Sequence, residues 1–222
     1  MKKGDYMEAR ELHQFVNQDV INRDFNTTNV RIYLFLRGLI DFVLALFALI
    51  LISPIIILFS VVIVLESKGS AFFYQERVGL NGKKFNIIKL RSMGIDAEKS
   101  GAQWATKNDP RVTRIGSFIR KTRIDELPQL INILKGDMSL IGPRPERPIF
   151  NDRFSKEIPG FSNRLVIKPG ITGWAQVNGG YEITASEKLK LDLQYINNLG
   201  IIIDLKIIFK TIRVVLTGDG AR

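Results

Sequence analysis

Phe42-Val-Leu-Ala-Leu-Phe-Ala-Leu-Ile-Leu-Ile-Ser-Pro-Ile-Ile-Ile-Leu-Phe-Ser-Val-Val-Ile-Val-Leu65 is an uncharged run interrupted only by Ser53, Pro54 and Ser60. As a helix rising about 1.5 Å per residue it is about 36 Å long, enough to cross a hydrocarbon core of about 30 Å. The length predicts a membrane helix. It divides the chain into a polar lead-in (residues 1–30), a membrane-helix region (31–68) and a following domain (69–222).

The two flanks of this run are both basic. The positive residues around it are Arg23, Arg31 and Arg37 before it, and Lys68, Arg77, Lys83, Lys84, Lys89 and Arg91 after it. Positive residues favour the cytoplasmic side, so both ends are drawn to the same face. Pro54 removes one helical hydrogen bond, and the Ser53 hydroxyl can satisfy the freed carbonyl. A re-entrant helix that bends at Ser53-Pro54 and a kinked spanning helix are both consistent with these features.

Composition limits the chemistry. The 222 residues hold 32 Lys and Arg against 22 Asp and Glu, a net charge of +10, which predicts an anionic partner. There is no Cys and only one His, His13, so thiolate and His-based zinc sites and a His general base are excluded from the main body. The aromatic residues are mostly Phe in apolar settings, which argues against nucleic acid as the partner.

The remaining pattern indicates an α+β fold that is mainly helical. Residues 71–93 predict a small β-hairpin around Asn81-Gly82. Residues 114–135 and 184–197 have helical character, and Gly200 separates the latter from a last segment, Ile201 to Leu216. There, Lys206, Lys210 and Arg213 recur opposite an apolar face. An interfacial amphipathic helix and a core-packing helix are equally consistent with this pattern.

Residues 120–146 carry the candidate chemistry. Asp125-Glu126 lies between Arg120 and Arg144, and Arg144 is flanked by Pro143 and Pro145. A carboxylate can act as a nucleophile, a base or a metal ligand, and guanidinium groups bind phosphate oxygens bidentately. The alternative is structural: Asp125 as a helix N-cap, with Glu126 favourable to the helix dipole.

Several motifs in the same order make the chain resemble the bacterial sugar transferase family, the monotopic phosphoglycosyl transferases. The motifs are Ser53-Pro54, Tyr74-Gln-Glu-Arg-Val-Gly79, Lys89-Leu-Arg-Ser-Met93, Asp125-Glu-Leu-Pro-Gln-Leu130, Lys135-Gly-Asp-Met-Ser-Leu-Ile-Gly-Pro-Arg-Pro-Glu146 and Pro169-Gly-Ile-Thr-Gly-Trp-Ala-Gln-Val177. The resemblance covers about residues 31 to 216. The length suggests the small form that has only the catalytic core.

The resemblance implies transfer of a sugar 1-phosphate from a UDP-sugar to polyprenol phosphate, with release of UMP, at the start of exopolysaccharide, capsule or glycan assembly. Asp125 would be the nucleophile and form a phosphosugar-aspartyl intermediate, and Glu126 would bind Mg²⁺. Lys89, Arg120 and Arg144 would hold phosphate oxygens.

The resemblance also favours the re-entrant helix hinged at Ser53 and Pro54. It implies a monotopic protein of the bacterial cytoplasmic membrane, with amphipathic interfacial helices around an active site on the cytoplasmic face. The competing hypothesis is a non-catalytic, membrane-attached module whose basic surface binds anionic lipid or a polysaccharide-assembly partner.

Overall fold

A computed structural model describes residues 24–99, 101, 109–179 and 183–217. The α-helices are α1 (Thr28–Glu66), α2 (Arg114–Lys121), α3 (Leu130–Leu134), α4 (Pro148–Glu157), α5 (Trp174–Asn178), α6 (Ala185–Asn197) and α7 (Ile201–Thr217). The strands are β1 (Phe72–Val78), β2 (Lys84–Leu90), β3 (Ser139–Ile141) and β4 (Gly170–Thr172). Three short 3₁₀ helices cover Leu80–Gly82, Ile124–Gln129 and Phe161–Val166. The fold is mainly helical with one small hairpin, as the sequence predicts, and a second small sheet (β3 and β4) accompanies them.

Helix α1 has 39 residues and carries the predicted apolar run. Within the described chain it is the one helix long and apolar enough to cross a membrane. Only 11% of its most apolar 18-residue stretch is buried. Ser53 and Pro54 lie inside it, and the Ser53 hydroxyl donates to the Ile50 carbonyl at 2.9 Å. The helix continues through Pro54, so the predicted hinge does not separate two helices. A re-entrant path stays a prediction.

Both ends of α1 are tied to the rest of the protein. Near its start, Arg37 donates to the Ser139 hydroxyl at 2.8 Å, and Tyr33 donates to Asp204 on α7. At its end, the Glu66 carboxylate accepts from the backbone amides of Arg114 and Ile115, which open α2. A single stripe on α1 is buried along its length: Arg37, Asp41, Ala45, Ile56 and Ile63. Most of the large apolar residues on the rest of its surface are exposed.

The predicted hairpin is present. Strands β1 and β2 pair antiparallel, from Phe72 opposite Leu90 to Val78 opposite Lys84. The connection uses positive φ at Asn81 (52°) and Gly82 (79°), which is why Asn-Gly suits it. Strand β2 is fixed to α3 by Asn132, whose side-chain oxygen accepts from the Ile88 amide at 3.0 Å while its amide donates to the Asn86 carbonyl at 2.8 Å.

The predicted helical region 114–135 is divided in three. Arg123 has φ 58°, in the left-handed region, and this turns the chain between α2 and the 3₁₀ helix Ile124–Gln129. The N-cap position of that 3₁₀ helix belongs to Arg123, and Asp125 lies in its first turn. The N-cap alternative for Asp125 is therefore wrong. Its position near a helix start, with Glu126, agrees with the dipole argument.

The segment before Arg144 is held by close backbone packing. Strands β3 and β4 pair in parallel, with Ser139 opposite Gly170 and Ile141 opposite Thr172. A Cβ on Gly170 would lie 2.1 Å from the Gly142 amide nitrogen, so only glycine allows this approach. The Gly170 amide in turn donates to the Pro143 carbonyl at 3.0 Å. This contact fixes the chain where the Pro143–Pro145 turn begins.

The C-terminal half packs around α6. Its fully buried residues Leu189, Leu193 and Ile196 share one core with Phe161 and with Ile207 of α7. The helix predicted over residues 184–197 is present and begins with a capping box between Thr184 and Glu187. The expectation that it is a surface helix is wrong, because its apolar face lies in this core. Helix α7 starts directly after Gly200, as predicted. It buries Ile207 but exposes most of its other large apolar residues, so the interfacial prediction remains open. Most of the lead-in predicted for residues 1–30 lies outside the described residues.

Candidate active site

The acidic pair and two of the predicted basic residues meet in one cluster. The Glu126 carboxylate oxygen Oε1 accepts from Lys89 Nζ at 2.7 Å and from a guanidinium nitrogen of Arg144. Lys89 comes from β2 and Arg144 from the proline-flanked turn. The side chains of Lys89 and Glu126 are largely buried, with 12% of Glu126 exposed, and Arg144 is partly buried. Residues far apart in the chain therefore converge on Glu126.

The two carboxylates have different electrostatics. Burial raises the pKa of Asp125 to about 6; the Lys89 charge opposes this rise and the Glu126 charge adds to it. Burial also disfavours ionised Glu126, but the charges of Arg144 and Lys89 outweigh it and hold the Glu126 pKa well below its usual range. Environments that separate two titrating groups in this way are typical of functional sites.

Asp125 differs from Glu126 in its contacts. Its residue is 8% exposed, and among the residues that the structure describes its carboxylate makes no hydrogen bond or ion pair. Among the described residues no donor therefore occupies the lone pairs of this carboxylate. Glu126, by contrast, is held by two cations. The arrangement leaves Asp125 as the group of the pair that is available to react.

Arg120 also lies near the pair. It occupies the last turn of α2, five residues before Asp125, and its charge is among those that lower the Asp125 pKa. In a continuous helix this spacing would separate the two side chains by about one and a half turns. The left-handed turn at Arg123 brings them together. The chain therefore bends just before Ile124.

Two other basic residues of the hairpin region serve the fold instead. The Arg91 guanidinium donates to the Ser67 and Lys68 carbonyls, both at 2.7 Å, and so closes the end of α1. Arg77 donates to the Pro145 carbonyl at 2.9 Å. Of Arg77, Lys89 and Arg91, only Lys89 bonds to the carboxylate pair.

The carboxylate oxygens of the site fit one kind of Mg²⁺ site, in which the protein supplies only one or two ligands. Within the described residues there is no group of three or more His, Cys, Asp and Glu side chains that could enclose an ion. Mg²⁺ is commonly held by one or two carboxylates, with water and substrate phosphates as the other ligands. Asp125 and Glu126 supply adjacent carboxylates of this type. In this structure the Glu126 carboxylate is already bonded to Lys89 and Arg144.

This geometry can be compared with known proteins. The family model described as bacterial sugar transferase matches residues 32–218, which includes α1 after its first four residues, the hairpin and the whole carboxylate cluster.

The chain belongs to the bacterial sugar transferase family.

Three relatives show the range of names within the family. A UDP-N-acetylgalactosamine-undecaprenyl-phosphate N-acetylgalactosaminephosphotransferase from Aeromonas hydrophila is 50% identical over 86% of this chain and 46% of its own length. A UDP-glucose:undecaprenyl-phosphate glucose-1-phosphate transferase from Escherichia coli is 42% identical over 78% of this chain and 38% of its own length. A protein of the same name from Caulobacter vibrioides is 41% identical over 83% of this chain and 71% of its own length. The chain spans less than half the length of the first two relatives.

Sequence reasoning missed several residues that build the site of this bacterial sugar transferase. Asn132 joins α3 to β2 and so sets the distance between Lys89 and Glu126. Its signal was a polar residue inside the apolar run Leu-Ile-Asn-Ile-Leu. Arg164 and Asp192 are buried and paired near the Arg144 backbone. Single charged residues in ordinary helical context gave no comparable signal.

Proposed function

We propose that this chain is a phosphoglycosyl transferase that moves a sugar 1-phosphate from a UDP-sugar to a polyprenol phosphate. The observation that carries the proposal is the contrast within the acidic pair: a buried, unpaired Asp125 beside a Glu126 that two cations hold ionised. The names of the relatives support a UDP-sugar donor and undecaprenyl phosphate as acceptor.

The reaction proceeds in two displacements. A carboxylate oxygen of Asp125 attacks the β-phosphorus of the UDP-sugar, and the bond from that phosphorus to the bridging oxygen breaks, so UMP leaves. An oxygen of polyprenol phosphate then attacks the phosphorus of the phosphosugar-aspartyl intermediate. Asp125 is released, and the product is polyprenyl diphosphate sugar. Division into two steps replaces one difficult transfer by two easier ones.

The basic residues stabilise charge on the transferring phosphoryl group. Lys89 and Arg144 exchange Glu126 for phosphate oxygens when donor binds, because the donor brings more negative charge than one carboxylate. Arg120, on the neighbouring α2 turn, contributes a third positive group. Asp125 must be ionised to attack, and its pKa of about 6 leaves most of it ionised at neutral pH.

Mg²⁺ is the cofactor that we propose, with Glu126 as its protein ligand. When bound, it would neutralise diphosphate charge and favour departure of UMP. Glu126 suits this role because Arg144 and Lys89 hold its pKa well below its usual range, so the site offers an ionised carboxylate before the donor binds.

The acceptor requires a membrane, and the contacts of α1 support a monotopic arrangement. A straight helix of 39 residues is about 58 Å long and would place its ends on opposite faces of a bilayer. Tyr33 and Glu66, near those ends, both contact the polar domain. Because that domain cannot lie in hydrocarbon, we infer that both ends share the cytoplasmic face and that Ser53-Pro54 marks the deepest part of a re-entrant helix.

The test is Mg²⁺-dependent release of UMP from a panel of UDP-sugars, led by UDP-N-acetylgalactosamine and UDP-glucose, with undecaprenyl phosphate in detergent micelles. The proposal predicts turnover with at least one donor, loss of turnover on addition of EDTA, and loss in Asp125→Asn. Lipid binding without UMP release from any donor would instead support the non-catalytic membrane module.

A further inference from the structure

The turn that carries Arg144 needs support that its own backbone cannot supply. Pro143 and Pro145 have no amide hydrogen, so the segment has few donors with which to join regular structure. Its carbonyls are held from outside instead. Arg77 donates to the Pro145 carbonyl and Arg164 donates to the Arg144 carbonyl, each at 2.9 Å.

Arg164 is the most deeply buried of these supports. Its side chain is 2% exposed, and its Nη2 atom lies 2.6 Å from Asp192 Oδ2, which is 1% exposed. The same nitrogen makes the bond to the Arg144 carbonyl. The two hydrogens of this nitrogen lie in the guanidinium plane, so it can face a carboxylate and a carbonyl in that plane, an arrangement that the tetrahedral ammonium of a lysine does not reproduce. The pair therefore fixes the position of the Arg144 backbone relative to α6.

Glu146 adds a second connection between this turn and α6. Its Oε1 atom accepts from Lys188, on α6, and lies 3.8 Å from Arg164 Nη1. The Val78 amide donates to the Glu146 carbonyl at 2.9 Å, which joins the same residue to β1. The turn is thus held on its backbone side by α6 and β1. On the other side, the Arg144 guanidinium contacts Glu126.

A buried ion pair of this kind is an expensive way to stabilise a fold. Apolar residues of similar volume often stabilise a protein as well or better, because charges lose hydration on burial. The Arg164–Asp192 pair stands next to Leu189 and Leu193 on α6, where an apolar core already exists. What apolar residues at these positions could not provide is the hydrogen bond from Arg164 to the Arg144 carbonyl.

We propose that Arg164, oriented by Asp192, is a positioning residue that aims the Arg144 guanidinium at the donor diphosphate. This inference rests on the proposed function of Arg144 as a phosphate ligand. Arg164 contributes to donor binding only through Arg144. Its effect must therefore disappear when Arg144 loses its guanidinium.

A double-mutant cycle on donor affinity tests this dependence. Binding of UDP-N-acetylgalactosamine is measured by calorimetry in micelles with Mg²⁺, in an Asp125→Asn background that prevents turnover. If the Asp125→Asn protein does not bind UDP-N-acetylgalactosamine, another UDP-sugar of the panel is used. The cycle comprises the background, Arg164→Met, Arg144→Met and the double variant. Arg153→Met is the matched control, because Arg153 is an exposed arginine on α4 that pairs with Glu157.

We expect Arg164→Met to weaken donor binding by about tenfold when Arg144 is present and by less than about twofold when Arg144 is already Met. Arg153→Met should leave the affinity unchanged. An equal loss from Arg164→Met in both backgrounds would show a general structural effect and overturn the inference.

If Arg164→Met does not fold, Arg164→Lys replaces it in the same double-mutant cycle. It keeps the charge opposite Asp192 but not the planar fork, so the same dependence on Arg144 is expected. If the Asp125→Asn protein with all its arginines binds no UDP-sugar, the proposed function itself fails, and this inference fails with it.

Discussion

Replacement of Lys89 by Met tests how the site controls the charge of its proposed nucleophile. Lys89 Nζ lies 2.7 Å from Glu126, and its charge is the main one that lowers the pKa of Asp125. An opposite charge within about 4–6 Å changes a carboxyl pKa by about 1–3 units. Its removal therefore raises the Asp125 pKa above its present value of about 6.

The consequence is a pH-dependent loss of rate. Asp125 attacks only as the carboxylate, so activity falls as the pH drops through its pKa. A rise of one pH unit from about 6 lowers the ionised fraction at pH 7 about twofold, and a rise of two units lowers it about tenfold. Both losses are recovered at higher pH. Loss of a phosphate contact by Lys89, in contrast, lowers the rate by a constant factor at every pH.

The assay is single-turnover UMP release between pH 5 and 9, and the control is Lys89→Arg, which keeps the positive charge. We expect the acidic limb of the Lys89→Met profile to lie at least about one pH unit above that of the wild type, and the Lys89→Arg limb to stay near it. An unmoved acidic limb in Lys89→Met would refute the assignment of that limb to Asp125 beside Lys89.

Three further predictions concern the scaffold and the topology. Arg91→Met removes the donors on the Ser67 and Lys68 carbonyls, and should lower the free energy of unfolding by about 2–3 kcal/mol without changing donor KM; a normal denaturation midpoint would contradict this role. Gly170→Ala forces a methyl group against the Gly142 amide and should lower the free energy of unfolding, measured with denaturant, by about 1–3 kcal/mol. Gly82 has open space around it, so the loss of stability in Gly82→Ala should come from backbone strain alone. Because the chain has no Cys, single cysteines placed at Lys2 and Lys99 can be labelled from one side of the cell membrane; both should react from the cytoplasm, and opposite sides would exclude the re-entrant path.

Local patterns predicted the elements whose cause is local. The hairpin follows from the Asn81-Gly82 turn, which supplies positive φ, and α6 begins at a local capping box between Thr184 and Glu187. The parallel pair β3–β4 was not predicted, because strands of three residues show no periodicity and their partners are far apart in the chain. The turn at Arg123 was likewise hidden, since a left-handed arginine is set by its surroundings.

The site shows the same division. Asp125, Glu126, Arg144 and Lys89 were predicted from sequence, and the structure brings them together. Which acceptor each basic residue contacts could not be predicted, because a guanidinium donates equally well to a carboxylate or a backbone carbonyl. Arg91 and Arg77 bind carbonyls for this reason, although their positions on the hairpin resemble that of Lys89.

The central claim is that Asp125 carries the phosphosugar between donor and acceptor. The direct measurement is peptide mass spectrometry. The protein is incubated with Mg²⁺ and a UDP-sugar that it has been found to use, without polyprenol phosphate, and is quenched in acid before digestion. The account predicts one added sugar phosphate on the peptide that contains Asp125, lost on addition of undecaprenyl phosphate and absent in Asp125→Asn. An adduct on another residue, or UMP release that requires acceptor and leaves the protein unmodified, would contradict it.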